Sequence, residues 1–334
     1  MLPISGYKDT TTKRGFKYHY YYAPAQGSKQ TLLFCHGFPS TSQDWHRLVP
    51  HFEQQGYGII VPDTLGYGGT DKPLDPVAYR GTLLAKDLID IVDAEKLDKI
   101  IAIGHDWGSF IISRLASVAP NRIFAYAFLA VSYIAPNPDF HFEAALKATK
   151  EAFGYELIGY QAFFADDSTA AILENNWDTV FGILWPQDAA IWKTHLAPLG
   201  ALKAAIEEGK KRPLPSYLSE EDKKAITKPL LDGGFAAPTC YYKVQVRGLS
   251  LEDELTIPKE RYLPPTSSPI FFAASLRDYI GLAAMQKGNL TSPKFKDHNV
   301  TIHEYDADHW ILLSHAEEVG KDLDAWLAKI VPAS

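Results

Sequence analysis

The chain has 334 residues, 46% of them hydrophobic and 22% charged, ordinary globular values that exclude a disordered chain. A formal charge of -7 excludes the basic footprint of a nucleic-acid partner, and no apolar stretch approaches the roughly 20 residues needed to span a bilayer. Residues 1–6 lack the basic and apolar regions of a signal peptide, and Cys35 and Cys240 read as reduced thiols, so a cytoplasmic location is expected.

In chain order, the first expected element is an aromatic strand at 16–22, placed near a sheet edge. Three continuous apolar runs follow, at 31–35, 58–61 and 99–103, each leading into a glycine-bearing turn. Such runs fit strands covered on both faces, hence a mainly parallel sheet. Between the second and third, Leu84, Leu88, Ile91 and Val92 form one helical stripe, which gives the βαβ rhythm of an α/β fold. A fourth run at 124–134 is followed by mixed helices and loops. The strand pattern resumes at 269–275 and 300–305, and a closing helix is expected to start on a capping box of Ser314 and Glu317. The predicted architecture is an α/β core of residues 1–134 and 263–334, interrupted by a mostly helical cap at 135–262.

The turn Gly104-His105-Asp106-Trp107-Gly108 leaves a strand and enters a helix. Glycines two before and two after a central residue permit the sharp turn of a nucleophile elbow, here with Asp106 in the serine position. A carboxylate is already ionised at neutral pH and suits displacement at an sp³ carbon, giving an alkyl-enzyme ester. Water must then hydrolyse that ester, which calls for a histidine and an orienting acid. Chain order in this fold runs nucleophile, acid, histidine. Asp278, after the 269–275 strand, and His309, after the last strand, take those places. Asp306 and Asp308 are rival acids that read as loop caps, and His303 and His315 sit less well for the loop face. The backbone amides of Phe38 and Trp107 are the expected oxyanion donors, with His36 ordering the first loop.

With His36-Gly37-Phe38-Pro39, the Gly-His-Asp-Trp-Gly turn, Asp278 and His309-Trp310, the sequence resembles an α/β-hydrolase of the epoxide hydrolase family, clearly over 30–134 and 265–332. The resemblance implies hydrolysis of a small apolar epoxide by water to a vicinal diol, with no cofactor and no metal. It also implies two cap tyrosines that hydrogen-bond the epoxide oxygen. Tyr160, followed by Gln161 and Phe163-Phe164, matches the first, with Tyr155 as competitor. Tyr242, in Pro238-Thr239-Cys240-Tyr241-Tyr242-Lys243, matches the second, with Tyr241 as its neighbouring alternative. Phe164, Trp177 and Trp185 are expected pocket walls. The rival is a haloalkane dehalogenase-like hydrolase, which commonly has Asn where this chain has Phe38. Fluoroacetate dehalogenases usually carry Arg where it has Trp107. A catalytically silent receptor or scaffold of the same fold is the third reading. Oligomeric state is not legible. Of the 18 tyrosines, these few are the ones for which chemistry rather than packing is expected.

Overall fold

The apolar runs become the centre of a single eight-stranded sheet, ordered β1-β2-β4-β3-β5-β6-β7-β8. In the computed structural model, which describes residues 1–331, the strands are β1 (Tyr7–Thr11), β2 (Lys17–Ala23), β3 (Thr31–Cys35), β4 (Gly58–Pro62), β5 (Ile100–His105), β6 (Ile123–Leu129), β7 (Ile270–Ser275) and β8 (Val300–Tyr305). The pairs β1/β2 and β2/β4 are antiparallel, and from β4 through β3 to β8 every pair is parallel. Every residue of β3, β4, β5 and β7 is buried, because helices cover both faces. That is why these strands read as continuous rather than alternating apolar runs.

The aromatic strand lies near the sheet edge as expected, but one place in: β1, which the sequence does not announce, lies outside it and carries Tyr7, whose ring stacks on His19 of β2 at 4.8 Å. One expectation is corrected. The capping box at Ser314 does not form. Ser314 ends a short helix, Ile311–Ser314, and the closing helix Ala316–Ile330 starts after His315 without a side-chain cap. Glu317 pairs instead with Lys321, one turn on, at 2.6 Å. The closing helix buries Val319, Leu323, Trp326 and Leu327 on one face.

Between β6 and β7 the chain is helical, from Phe142–Phe153 to Leu251–Leu255. This layer lies over the carboxyl ends of the parallel strands, where ligands bind in open α/β sheets. It is tied down by polar contacts: Arg114, on helix Trp107–Val118, donates to Glu254 at 2.5 and 3.1 Å, and Arg47 donates to the Tyr217 carbonyl at 2.9 Å. Among the described residues no helix is long and apolar enough to cross a membrane.

Candidate active site

The turn after β5 is as sharp as its glycines suggest. Asp106 has φ 53° and ψ -123°, a strained conformation for a residue with a side chain and the kind that collects at functional sites. Helix Trp107–Val118 begins at once, so the close crossing of turn and helix leaves no room at Gly108, where an added Cβ would sit 1.9 Å from the Cys35 carbonyl oxygen. The register that sets Cys35 beside Gly104 brings the loop after β3 against the same turn. There the Phe38 N–H donates to Asp106 Oδ1 at 2.8 Å. Trp107 opens the helix, so its N–H has no helical acceptor and is free for an oxygen at the same place. His36 is buried; its Nε2 accepts from the Thr64 N–H at 2.9 Å and its Nδ1 lies 3.0 Å from the Gly37 carbonyl. It orders the loop.

The loops after β7 and β8 complete the constellation. Asp278 is buried, and its Oδ1 accepts the Ile280 and Gly281 N–H groups, both at 2.9 Å. Its Oδ2 lies 2.7 Å from His309 Nδ1, while His309 Nε2 lies 3.5 Å from Asp106 Oδ2. The ring thus stands between two carboxylates. His105 lends a further hold, its Nε2–H donating to the His309 carbonyl at 2.7 Å. The rival acids are engaged elsewhere: Asp306 pairs with Arg277 at 3.0 Å, and Asp308 accepts from the Tyr217 hydroxyl at 2.7 Å and the Trp310 N–H at 3.0 Å. His303 lies 3.0 Å from Asp322.

Charge dominates this core. Burial alone would lower the pKa of His309, but the Asp278 charge and the hydrogen bond and charge of Asp106 override it and push it up to about 10. Burial raises the Asp106 carboxyl, yet His309, His105 and the Phe38 amide outweigh it and hold it below its ordinary value. At neutral pH the resting pair is therefore an Asp106 carboxylate beside a His309 imidazolium. His105 is driven down to about 4 by burial and the neighbouring His309, so it is neutral.

Above Asp106 hang two tyrosines, Tyr160 on helix Tyr160–Phe164 and Tyr242 on helix Cys240–Val246, their rings 6.0 Å apart. Both line the cavity that holds Asp106 and His309. Burial raises both hydroxyls above their ordinary values, with the Asp106 charge adding to it, so both are neutral donors. Neither hydroxyl donates to a protein acceptor among the described residues. The competing tyrosines differ on this point: Tyr241 donates to the Leu65 carbonyl at 3.0 Å and Tyr155 to the Tyr279 carbonyl at 2.8 Å.

Phe164 joins this cavity wall, packing 4.7 Å from both Phe38 and Tyr242. Trp177 and Trp185 do not. Trp185 stacks between Phe181 and Trp310 at 4.4 and 4.6 Å, where the helical layer meets the loop after β8, and Trp177 packs on Phe235 with its N–H on Thr227; both are packing residues. Sequence reasoning missed Trp192, Leu184, Leu196 and Ile280 as walls, and no local pattern marks them. Among the described residues no group of three or more His, Cys, Asp or Glu could hold a metal ion.

Comparison with known proteins finds the same fold. The family model for the α/β-hydrolase fold matches residues 30–184. Epoxide hydrolase 3 of Siraitia grosvenorii is 29% identical over 256 residues, spanning 75% of this chain and 74% of that protein. Bifunctional epoxide hydrolase 2 of Sus scrofa is 27% identical over 69% of this chain, which matches 40% of that longer protein. Among solved structures, Epoxide Hydrolase A from Mycobacterium thermoresistibile superposes with a TM-score of 0.74 at 23% identity, covering 96% of this chain and 97% of its own. An epoxide hydrolase from Vigna radiata gives 0.74 at 23% identity, covering 98% and 99%. The chain has the α/β-hydrolase fold, and its relatives bear out the resemblance to epoxide hydrolases read from the motifs.

Proposed function

We propose that this α/β-hydrolase is a cytoplasmic epoxide hydrolase that converts an epoxide and water to a vicinal diol through an alkyl ester on Asp106. The observation that carries this reading is the pair of neutral hydroxyls, Tyr160 and Tyr242, lining the Asp106 cavity without a protein acceptor for either proton among the described residues. An oxirane oxygen becomes an alkoxide as its ring opens, and hydrogen-bond donors placed where that charge develops lower the barrier. A halide would need donors at the level of Phe38, whose side chain has none.

In the first half-reaction an Asp106 oxygen attacks an oxirane carbon. The C–O bond of the ring breaks, and the oxygen takes its hydrogen bonds from Tyr160 and Tyr242. Esterification removes the Asp106 charge, so the His309 imidazolium loses one of the two carboxylates that hold its proton. One proton leaves it, and one reaches the alkoxide, giving a hydroxyl. Neutral His309, oriented by Asp278, then takes a proton from water as that water attacks the ester carbonyl. The oxygen of the tetrahedral intermediate is stabilised by the Phe38 and Trp107 amides. Collapse breaks the bond between the ester carbonyl carbon and the diol oxygen, which takes up the second proton of that water; the diol leaves, and Asp106 is again a carboxylate beside the His309 imidazolium.

The test uses His309→Gln, which stops the second half-reaction. Incubated with phenyloxirane, this variant should gain the mass of one epoxide, and peptide mapping should place it on Asp106. An adduct formed with 1-chlorobutane and not with the epoxide would favour the dehalogenase reading. Wild type that turns over neither would favour a silent scaffold.

A further inference from the structure

Asp106 stands where two very unequal chambers meet. Both chambers are lined by Asp106, Tyr160 and Ile280. The larger, about 360 Å³, runs past Trp107, Phe110, Val131 and Ile158 toward Ile134 and Met285, which are exposed and mark its mouth. The smaller, about 20 Å³, is closed by Leu184, Trp192, Leu196 and Trp310 around His309, and each of these four is at most 4% exposed.

These volumes admit different things. A water needs about 10–15 Å³ of such space, so the small chamber has room for one water beside His309 and for no ring or chain. Pockets for whole organic ligands begin near 300 Å³, so the large chamber accepts a complete substituent. Its wall contains one ion pair, Arg114 with Glu254, at 2.5 Å and almost fully buried. The two charges cancel; Asp106, at the junction of the chambers, is paired with His309; and the remaining polar lining groups, such as Asn137, Gln161, Gln245 and Gln286, are uncharged. An ionised substituent would find no counter-charge there.

Building on the epoxide reading, we infer that the substrates are one-armed: neutral oxiranes with a single large apolar substituent on one ring carbon and hydrogen alone on the carbon facing Leu184, Trp192 and Leu196. Trans substituents leave an oxirane in opposite directions, so a second arm is forced into the small chamber. There it meets close-packed side chains that yield only at the cost of strain, and it occupies the space of the water that the second half-reaction consumes.

The experiment compares kcat/KM for phenyloxirane and trans-2,3-diphenyloxirane. Wild type should prefer the one-armed substrate by at least tenfold. Leu196→Ala, which enlarges the small chamber without touching a reacting atom, should narrow the ratio at least threefold by speeding the two-armed substrate. Leu184→Ala opens the same chamber from the end of helix Trp177–Leu184 and covers the case in which the first variant fails to fold. A wild-type preference below tenfold, or a ratio unmoved in both variants, overturns the inference while leaving the epoxide reading intact. If neither epoxide is hydrolysed and His309→Gln gains no adduct, the epoxide reading itself fails and takes the inference with it.

Discussion

Asp106→Asn keeps the shape of the proposed nucleophile and removes its charge, which is the change that esterification would bring about. The carboxylate oxygen and His309 Nε2 are 3.5 Å apart. Two unit charges at that separation attract by about 5 kcal/mol at an effective dielectric of ~20, which is roughly three pKa units. His309 is held at about 10 against the opposing pull of burial, so in Asp106→Asn it should fall by about three units, close to neutrality. The sign follows from charge: losing an anion destabilises the imidazolium, and the proton leaves at lower pH. That fall would convert a group locked as an acid into a general base suited to neutral pH. The measurement is an NMR titration of the His309 ring, assigned by its disappearance in His309→Gln. A shift smaller than one unit, or any upward shift, would refute the reasoning, because Asp106 would then not be what holds the proton.

The tyrosines separate by what their hydroxyls touch. Tyr160→Phe and Tyr242→Phe should each slow single-turnover alkylation by about 10²-fold, the usual loss for one oxyanion donor. Tyr241→Phe should leave that rate alone and lower stability in urea by about 1 kcal/mol, through loss of its bond to the Leu65 carbonyl. Slowed alkylation in Tyr241→Phe with none in Tyr242→Phe would move the catalytic place by one residue. Glu254→Ala leaves the Arg114 guanidinium buried without its carboxylate, so urea unfolding should show a loss of about 3–5 kcal/mol. The double variant Arg114→Met/Glu254→Leu should regain most of it, and a failure to do so would mean that packing rather than unpaired charge sets the loss.

What the sequence could disclose here depends on how local its cause was. Strands β3, β4, β5 and β7 were legible because burial on both faces leaves an unbroken apolar run. Strand β1 was not, since Tyr-Lys-Asp-Thr-Thr exposes three of its five residues and is held by pairing with β2. The capping box failed for a nearby reason: Ser314 still belongs to the preceding helical turn, so its hydroxyl was never at an N-cap. Asp106, Asp278 and His309 could be picked out because each lies in the turn or loop after a strand, in the order the fold imposes. The aromatic groups resisted, since Trp185 stacked on Trp310 and Phe164 facing the cavity look alike in a string of letters.

The tyrosines show what extra information the fold supplies. Adjacent residues on a helix point about 100° apart, so Tyr241 turns its hydroxyl to the Leu65 carbonyl while Tyr242 turns into the Asp106 cavity. Most other tyrosines are similarly committed: Tyr18 to Asp87, Tyr133 to the Tyr262 carbonyl, Tyr305 to Asp322. A missing partner is not sufficient to mark a reactive hydroxyl, because the buried hydroxyls of Tyr67 and Tyr126 have none among the described residues and line neither chamber. Nor is facing the cavity sufficient, because Phe164 does so with nothing to donate. Only where both conditions meet, at Tyr160 and Tyr242, is a proton available to an oxygen arriving from outside. That conjunction depends on helix phase and cavity shape, neither of which a composition rich in tyrosine can express.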